Sequence, residues 1–224
     1  MGKSFWCILW VGAAWSQTPV LTPQQVLDQA RSELRGQRDV YVRVIPGEPA
    51  PQLGTDRPTG EAVSVTHLRH AIPGSAKKAF LKGQKFTQSG DHQNAAKELE
   101  KAVAKDPGFA EARNMLGVLY ERLGRTEEAR KCFEQAVELD PNAWEAHYNL
   151  GLALMQANDL SGAEQRIKRA LELSPANPTV HLFLGYLLFL HADTRTAGIE
   201  HVRYAARSLP AAQQFLEILE PKSK

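Results

Sequence analysis

Between residues 74 and 210 the apolar residues fall at helical rather than strand spacing, and the pattern returns at a fixed interval. Gly83, Gly117, Gly151 and Gly185 stand 34 positions apart, and Ala95, Ala129, Ala163 and Ala197 keep the same step. Pro107, Pro141 and Pro175 follow it too, with Pro210 one place late. In each unit a second stripe runs through Leu99, Phe133 and Ile167, followed three residues later by Ala102, Ala136 and Ala170. The pattern predicts two amphipathic helices per unit. Glycine inside a helix costs roughly 0.5–1 kcal/mol relative to alanine, so four of them in one slot imply that a second helix crosses close over each, answered by Ala95, Ala129 and Ala163. Leu116, Leu150 and Leu184 beside the glycines are core residues, while the first unit has Lys82 there, as suits an end repeat. Gly90, Gly124 and Asn158 punctuate the turn inside each unit, where a left-handed residue closes the first helix. Asp106-Pro107, Asp140-Pro141 and Ser174-Pro175 end the units, because the residue before proline is pushed out of the helical region.

A period in the range of about 20–50 residues marks a stacked repeat array. With so many slots agreeing, residues 74–210 resemble the tetratricopeptide repeat, a helix–turn–helix unit. The resemblance implies an all-α fold: a right-handed solenoid of about four 34-residue repeats, near 76–109, 110–143, 144–177 and 178–210. The fourth unit keeps Leu184-Gly185 and Leu188, but Tyr204 falls where the others have alanine. Gly198, Val202, Ala205 and Pro210 regain register if one residue is inserted around 193–196. After Pro210, Ala212, Phe215, Leu216 and Leu219 form one stripe, with Gln213, Gln214, Glu217 and Glu220 opposite. Residues 211–224 are therefore expected to be a capping helix and tail, hiding the last open face of the array.

The front of the chain reads differently. Lys3, the apolar stretch Phe5–Ala14 and the small-x-small Ala14-Trp15-Ser16 have the form of a secretory signal, 1–16, cut after Ser16. The apolar stretch is too short to cross a hydrocarbon core of about 30 Å. The protein is thus expected to be exported, periplasmic or extracellular, with no membrane span after cleavage. Residues 17–73 make a short mixed, irregular leader. Thr22, Pro23 and Gln25 start a helix over 22–35 whose stripe is Val26, Leu27, Ala30 and Leu34. Residues 39–45 and 61–68 read as extended, and 46–60, rich in proline and glycine, as a linker. Two strands alone are marginal in water, so they would need the first repeat or a partner's sheet edge to lean on.

Composition narrows the function. With 27 Lys and Arg against 25 Asp and Glu, the net charge of +2 recommends no nucleic-acid partner. Cys7 would leave with the signal, so Cys132 stands alone beside core Phe133, a small half-buried residue rather than a reactive thiol. No catalytic or cofactor motif is present: no phosphate-binding loop, paired-histidine zinc helix, Cys-x-x-Cys or nucleophile elbow. His67 and His70 lack a third metal ligand nearby. His147 and His181 share one slot and are expected to pack, facing each other across neighbouring repeats.

What remains is a surface. Side chains one face round from the glycines point into the concave groove lined by the first helices. The peptide-binding candidates are Gln84 in the first unit, Asn114, Val118 and Arg122 in the second, Tyr148, Asn149, Leu152 and Gln156 in the third, and Tyr186 and Phe189 in the fourth. Amides can hold an extended backbone and aromatics its side chains. Repeats of this family that grip C-terminal carboxylates use a lysine, arginine and asparagine cluster, and the lysines are missing here. These readings describe a non-enzymatic interaction module that binds a protein or peptide, an adaptor or assembly factor of the cell envelope. The alternatives are an accessory subunit of an envelope enzyme or a homodimer formed through the very apolar stretch His181–Leu190.

Overall fold

The computed structural model of the chain describes residues 70–220. The signal at 1–16, the helix at 22–35, the segments at 39–45, 46–60 and 61–68, and the tail after Glu220 lie outside the described residues. Within them the chain is all helical: α1 (Gly74–Gln88), α2 (His92–Lys105), α3 (Ala110–Arg122), α4 (Thr126–Leu139), α5 (Trp144–Gln156), α6 (Leu160–Leu173), α7 (Pro178–Phe189), α8 (Arg195–Ala205) and α9 (Pro210–Leu219). They pack as consecutive pairs, α1 with α2 through α7 with α8. Each second helix also touches the next first helix, and α9 closes on α8. This is the expected helix–turn–helix solenoid with a C-terminal cap.

Local chemistry sets the boundaries. Gly90, Gly124 and Asn158 have φ of 77°, 76° and 61°, the left-handed residue that turns each first helix into its partner. Asp91 and Asp159 then cap α2 and α6 by accepting from the backbone N–H of Asn94 and Gly162. Asp106 and Asp140, each before a proline, are extended. The fourth unit has no left-handed residue in its turn. A short 3-10 segment, Ala192–Thr194, takes up the extra residue, with the Thr194 hydroxyl donating to the Leu188 carbonyl.

The close crossing expected at the glycines is present, but its partner differs. A Cβ at Gly117 would lie 2.5 Å from the Phe133 ring, and one at Gly151 2.7 Å from Ile167. The large second-helix residue, not the alanine, therefore fills the space each glycine leaves. Ala95 and Ala163 contribute only their carbonyl oxygens at the edge. In the fourth pair glycine meets glycine: a Cβ at Gly185 would sit 2.8 Å from the Gly198 carbonyl. Gly198 is buried and Ala197 exposed, so the shifted register is the one the helix uses.

Two apolar clusters form the core. One joins α1–α4 to the Leu150 and Ala153 face of α5; the other joins its Tyr148 and Leu152 face to α6–α9. Helix α7 is buried nearly all round, as an all-apolar helix must be. Phe215 of α9 is fully buried against it, 6.2 Å from the Tyr186 ring and 6.3 Å from that of Phe189. Most of the apolar stretch His181–Leu190 is thus covered within the chain, with Leu190 left 41% exposed at its end.

Candidate functional site

On α3 the residues Glu111, Asn114, Val118 and Arg122 follow one another at steps of three and four. Glu145, Tyr148, Leu152 and Gln156 do the same on α5. Such steps put each set on one helix face, and the 34-residue repeat sets the two faces side by side. The structure divides the ten candidates among four environments. Tyr148, Leu152 and Tyr186 spend nearly all their surface on the second cluster. Tyr148 sits edge-on to Phe183 at 5.7 Å and tilted against Trp144 at 6.4 Å. Asn149 is buried and donates from Nδ2 to Oδ1 of half-buried Asn114 at 2.9 Å, an amide bridge from the third repeat back to the second. Val118, Arg122 and Phe189 are half-buried and Gln156 exposed. Gln84 is buried, and its Nε2 has no hydrogen-bond partner. In Phe189 one face of the ring receives the Arg195 guanidinium at 5.1 Å, a cation–π contact.

Sequence reasoning passed over Glu111 and Glu145, which open the two faces. Both are exposed. The protein around Glu145 strips part of its hydration and pushes its carboxyl above the ordinary range, with the charges of Glu111 and Asp140 adding to the push. The signal was available: Lys77, Glu111, Glu145 and Thr179 share one slot at the 34-residue step. This slot gives the row a negative middle that residues counted from the glycines alone do not reveal.

The histidines do something other than face each other. Arg113, His147 and His181 occupy one slot, and each donates to the carbonyl of the proline six residues earlier. Arg113 reaches Pro107 at 2.9 and 3.1 Å, His147 reaches Pro141 at 3.1 Å and His181 reaches Pro175 at 2.9 Å. A carbonyl only accepts, so neutral His181 has its proton on Nε2. Its Nδ1 then accepts from Nδ1 of His201 at 2.8 Å, and its ring stacks 4.0 Å from that of Tyr204. Burial holds both His147 and His201 below the usual histidine pKa, and for His201 the neighbouring His181 adds to it. The three side chains brace the turns between repeats. His70 donates to Asp106 at 2.6 Å. Among the described residues no group of three or more His, Cys, Asp or Glu could hold a metal ion. Cys132 is buried, and burial pushes its thiol up to about 11, so at neutral pH it is a packing residue.

Two tetratricopeptide-repeat profiles match the sequence, one over residues 119–178 and 148–213, the other over 79–142. Together they span the array from α1 into α9. No curated protein matches the sequence significantly. Among solved structures, a crystal structure of MamA is similar at 24% identity, with a TM-score of 0.54, over 61% of this chain and 81% of that one. A MamA double mutant aligns over 67% of this chain and 96% of its own, at 20% identity and a TM-score of 0.56. A mutant O-GlcNAc transferase of Thermobaculum terrenum is 26% identical over 59% of this chain but only 26% of its own length, with a TM-score of 0.52. These likenesses concern the repeat fold. Among the described residues no helix is long and apolar enough to cross a membrane.

Proposed function

Because this chain belongs to the tetratricopeptide-repeat family, whose fold is a scaffold for protein–protein interaction, we propose that it is a non-enzymatic adaptor holding an extended segment of a protein partner along the face of its first helices. The observation that carries this reading is the row of accessible side chains at one repeat spacing: Glu111, Val118 and Arg122 on α3, then Glu145 and Gln156 on α5. At the same step Leu190 continues it at the end of α7, beside half-buried Phe189. The Asn114–Asn149 bridge lies within the same row and can exchange its internal bond for bonds to a peptide backbone. Tyr148, Leu152 and Tyr186 act here as the floor that keeps the row in place. The partner acts outside the cytoplasm, in the periplasm or beyond; Lys3, Phe5–Ala14 and Ala14-Trp15-Ser16 support export. An accessory role beside a catalytic chain would use the same row.

The test is crosslinking and mass spectrometry on the exported protein in its own cells. Links from Lys77 or other lysines near the row to one recurring foreign protein, lost in Val118→Asp, are the expected result. Links confined to the chain itself, or to identical copies, would overturn the adaptor. Amino-terminal sequencing that begins elsewhere than Gln17 would overturn the cleavage site.

A further inference from the structure

In each later unit one face of the first helix seats a second helix from the unit before. Ala112, Met115, Leu116 and Leu119 stand on one face of α3, at steps of three, one and three. All four are buried, and so are the same slots on α5 and α7, none of them more than 9% exposed. Helices α3, α5 and α7 each touch two neighbours, their own second helix and the preceding one. Helix α1 has its own partner α2, but among the described residues no helix precedes it. Its four equivalent slots hold Lys78, Leu81, Lys82 and Lys85, and all are exposed, Leu81 by 50%. The contrast isolates the face that a preceding helix covers, and on α1 that face is open.

The open face keeps the spacing of a helix seat but changes its chemistry. Helix α1 carries Lys77, Lys78, Lys82 and Lys85 and no acid. Among the described residues only Lys82 of these four meets a carboxylate, that of Glu98 at 3.0 Å, and Glu98 is shared with Lys101 at 2.8 Å. The positive charge of Lys78 and Lys85, three residues before and four after Leu81, is therefore not answered within the array. We propose that this face is a second docking surface, made of different slots from the concave row, and that it seats an acidic amphipathic helix of a partner protein. An apolar residue of that helix meets Leu81, and acids three or four positions to either side of it reach Lys78 and Lys85. Two α1 faces brought together would set lysine against lysine, which argues against a second copy as the occupant. A single exposed leucine gives a lipid surface little apolar area to hold.

The test puts a photoreactive benzoylphenylalanine in place of Leu81 in the full-length chain, irradiates it in its own cells and reads the crosslinked peptides by mass spectrometry. The expected adduct falls on one recurring foreign segment in which acids stand three or four residues from an apolar residue. Its yield should drop several-fold when Lys78→Glu and Lys85→Glu are added together, two exposed substitutions that should leave the helical circular dichroism unchanged. Val118→Asp, in the concave row, should leave the yield as it is, so the two surfaces stand or fall separately. Adducts confined to the chain itself, to identical copies or to lipid overturn the proposal, as does the absence of any adduct. A foreign segment without acids, or a yield indifferent to the charge reversal, overturns it as well.

Discussion

The two ends of the solenoid solve the same problem with different chemistry. At the C-terminal end α7 is apolar on every side, and α9 lays Phe215 into it while presenting Gln213, Gln214 and Glu217 to water. At the N-terminal end α1 has been made polar instead. Lys82 stands where the later units have leucine and pairs with Glu98 at 3.0 Å, and only Leu81 is left as a large exposed apolar residue. An array of near-identical units must end twice. Among the described residues one end is sealed by a dedicated helix, while the other carries its change within the unit itself. The lesson is that slot identity predicts a residue's contacts only where a neighbouring repeat exists to supply them.

The sharpest way to break the comparison is to unseal the closed end. Phe215→Ala should lose about 3–5 kcal/mol, the usual cost of emptying a fully buried aromatic site, as read by denaturant unfolding. The same small substitution at both ends comes next. Gly185→Ala meets the backbone of Gly198 and Val202, which cannot move aside, and should cost about 1–3 kcal/mol. Gly83→Ala meets mainly the Leu99 side chain, with the Ala95 carbonyl farther off at 3.3 Å, and gains the helix propensity of alanine, so it should lose less than Gly185→Ala, whose obstacle is backbone. An equal loss at the two glycines would erase the contrast.

Acid should also act unevenly along the array. His201 is held neutral by burial and by His181, so its folded pKa lies below the unfolded value of about 6.5. The folded state then binds fewer protons, and the stability from this ring is complete above about 6.5 and falls as the pH drops through the folded value. Hydrogen exchange in α7 and α8 should quicken below that pH while α1 and α2 hold steady, and His201→Gln should flatten the profile. The smallest effect belongs to Arg203, whose exposed pairs with Glu200 and Glu220 fasten α8 to the end of α9. Water and salt screen such pairs, so Arg203→Ala should leave the unfolding midpoint almost where it was.

How much the sequence revealed follows from the same contrast. The two helices per unit, the left-handed turn residues Gly90, Gly124 and Asn158, and the shifted register of Gly198 were all legible, because each depends on local backbone geometry. The candidate groove was legible only in part. Counting from the glycines places Val118 and Leu152 in one slot, yet Val118 stays half-buried while Leu152 sinks into the second cluster. That difference depends on the size of the residue facing each, which a one-dimensional period does not carry. The bonds of His147 and His181 to proline carbonyls escaped for the same reason, since a ring's partner six residues away lies in a turn rather than on the helix face.

Helix α5 gives Leu150 and Ala153 to one apolar cluster and Tyr148 and Leu152 to the other. It is therefore the seam at which the chain can part into pieces that each keep a core. Local opening that begins at α1 can travel through α4 before the second cluster loses a contact. A protease working on that partly opened form should leave a resistant C-terminal product that starts near Trp144 and still holds α5–α9 together.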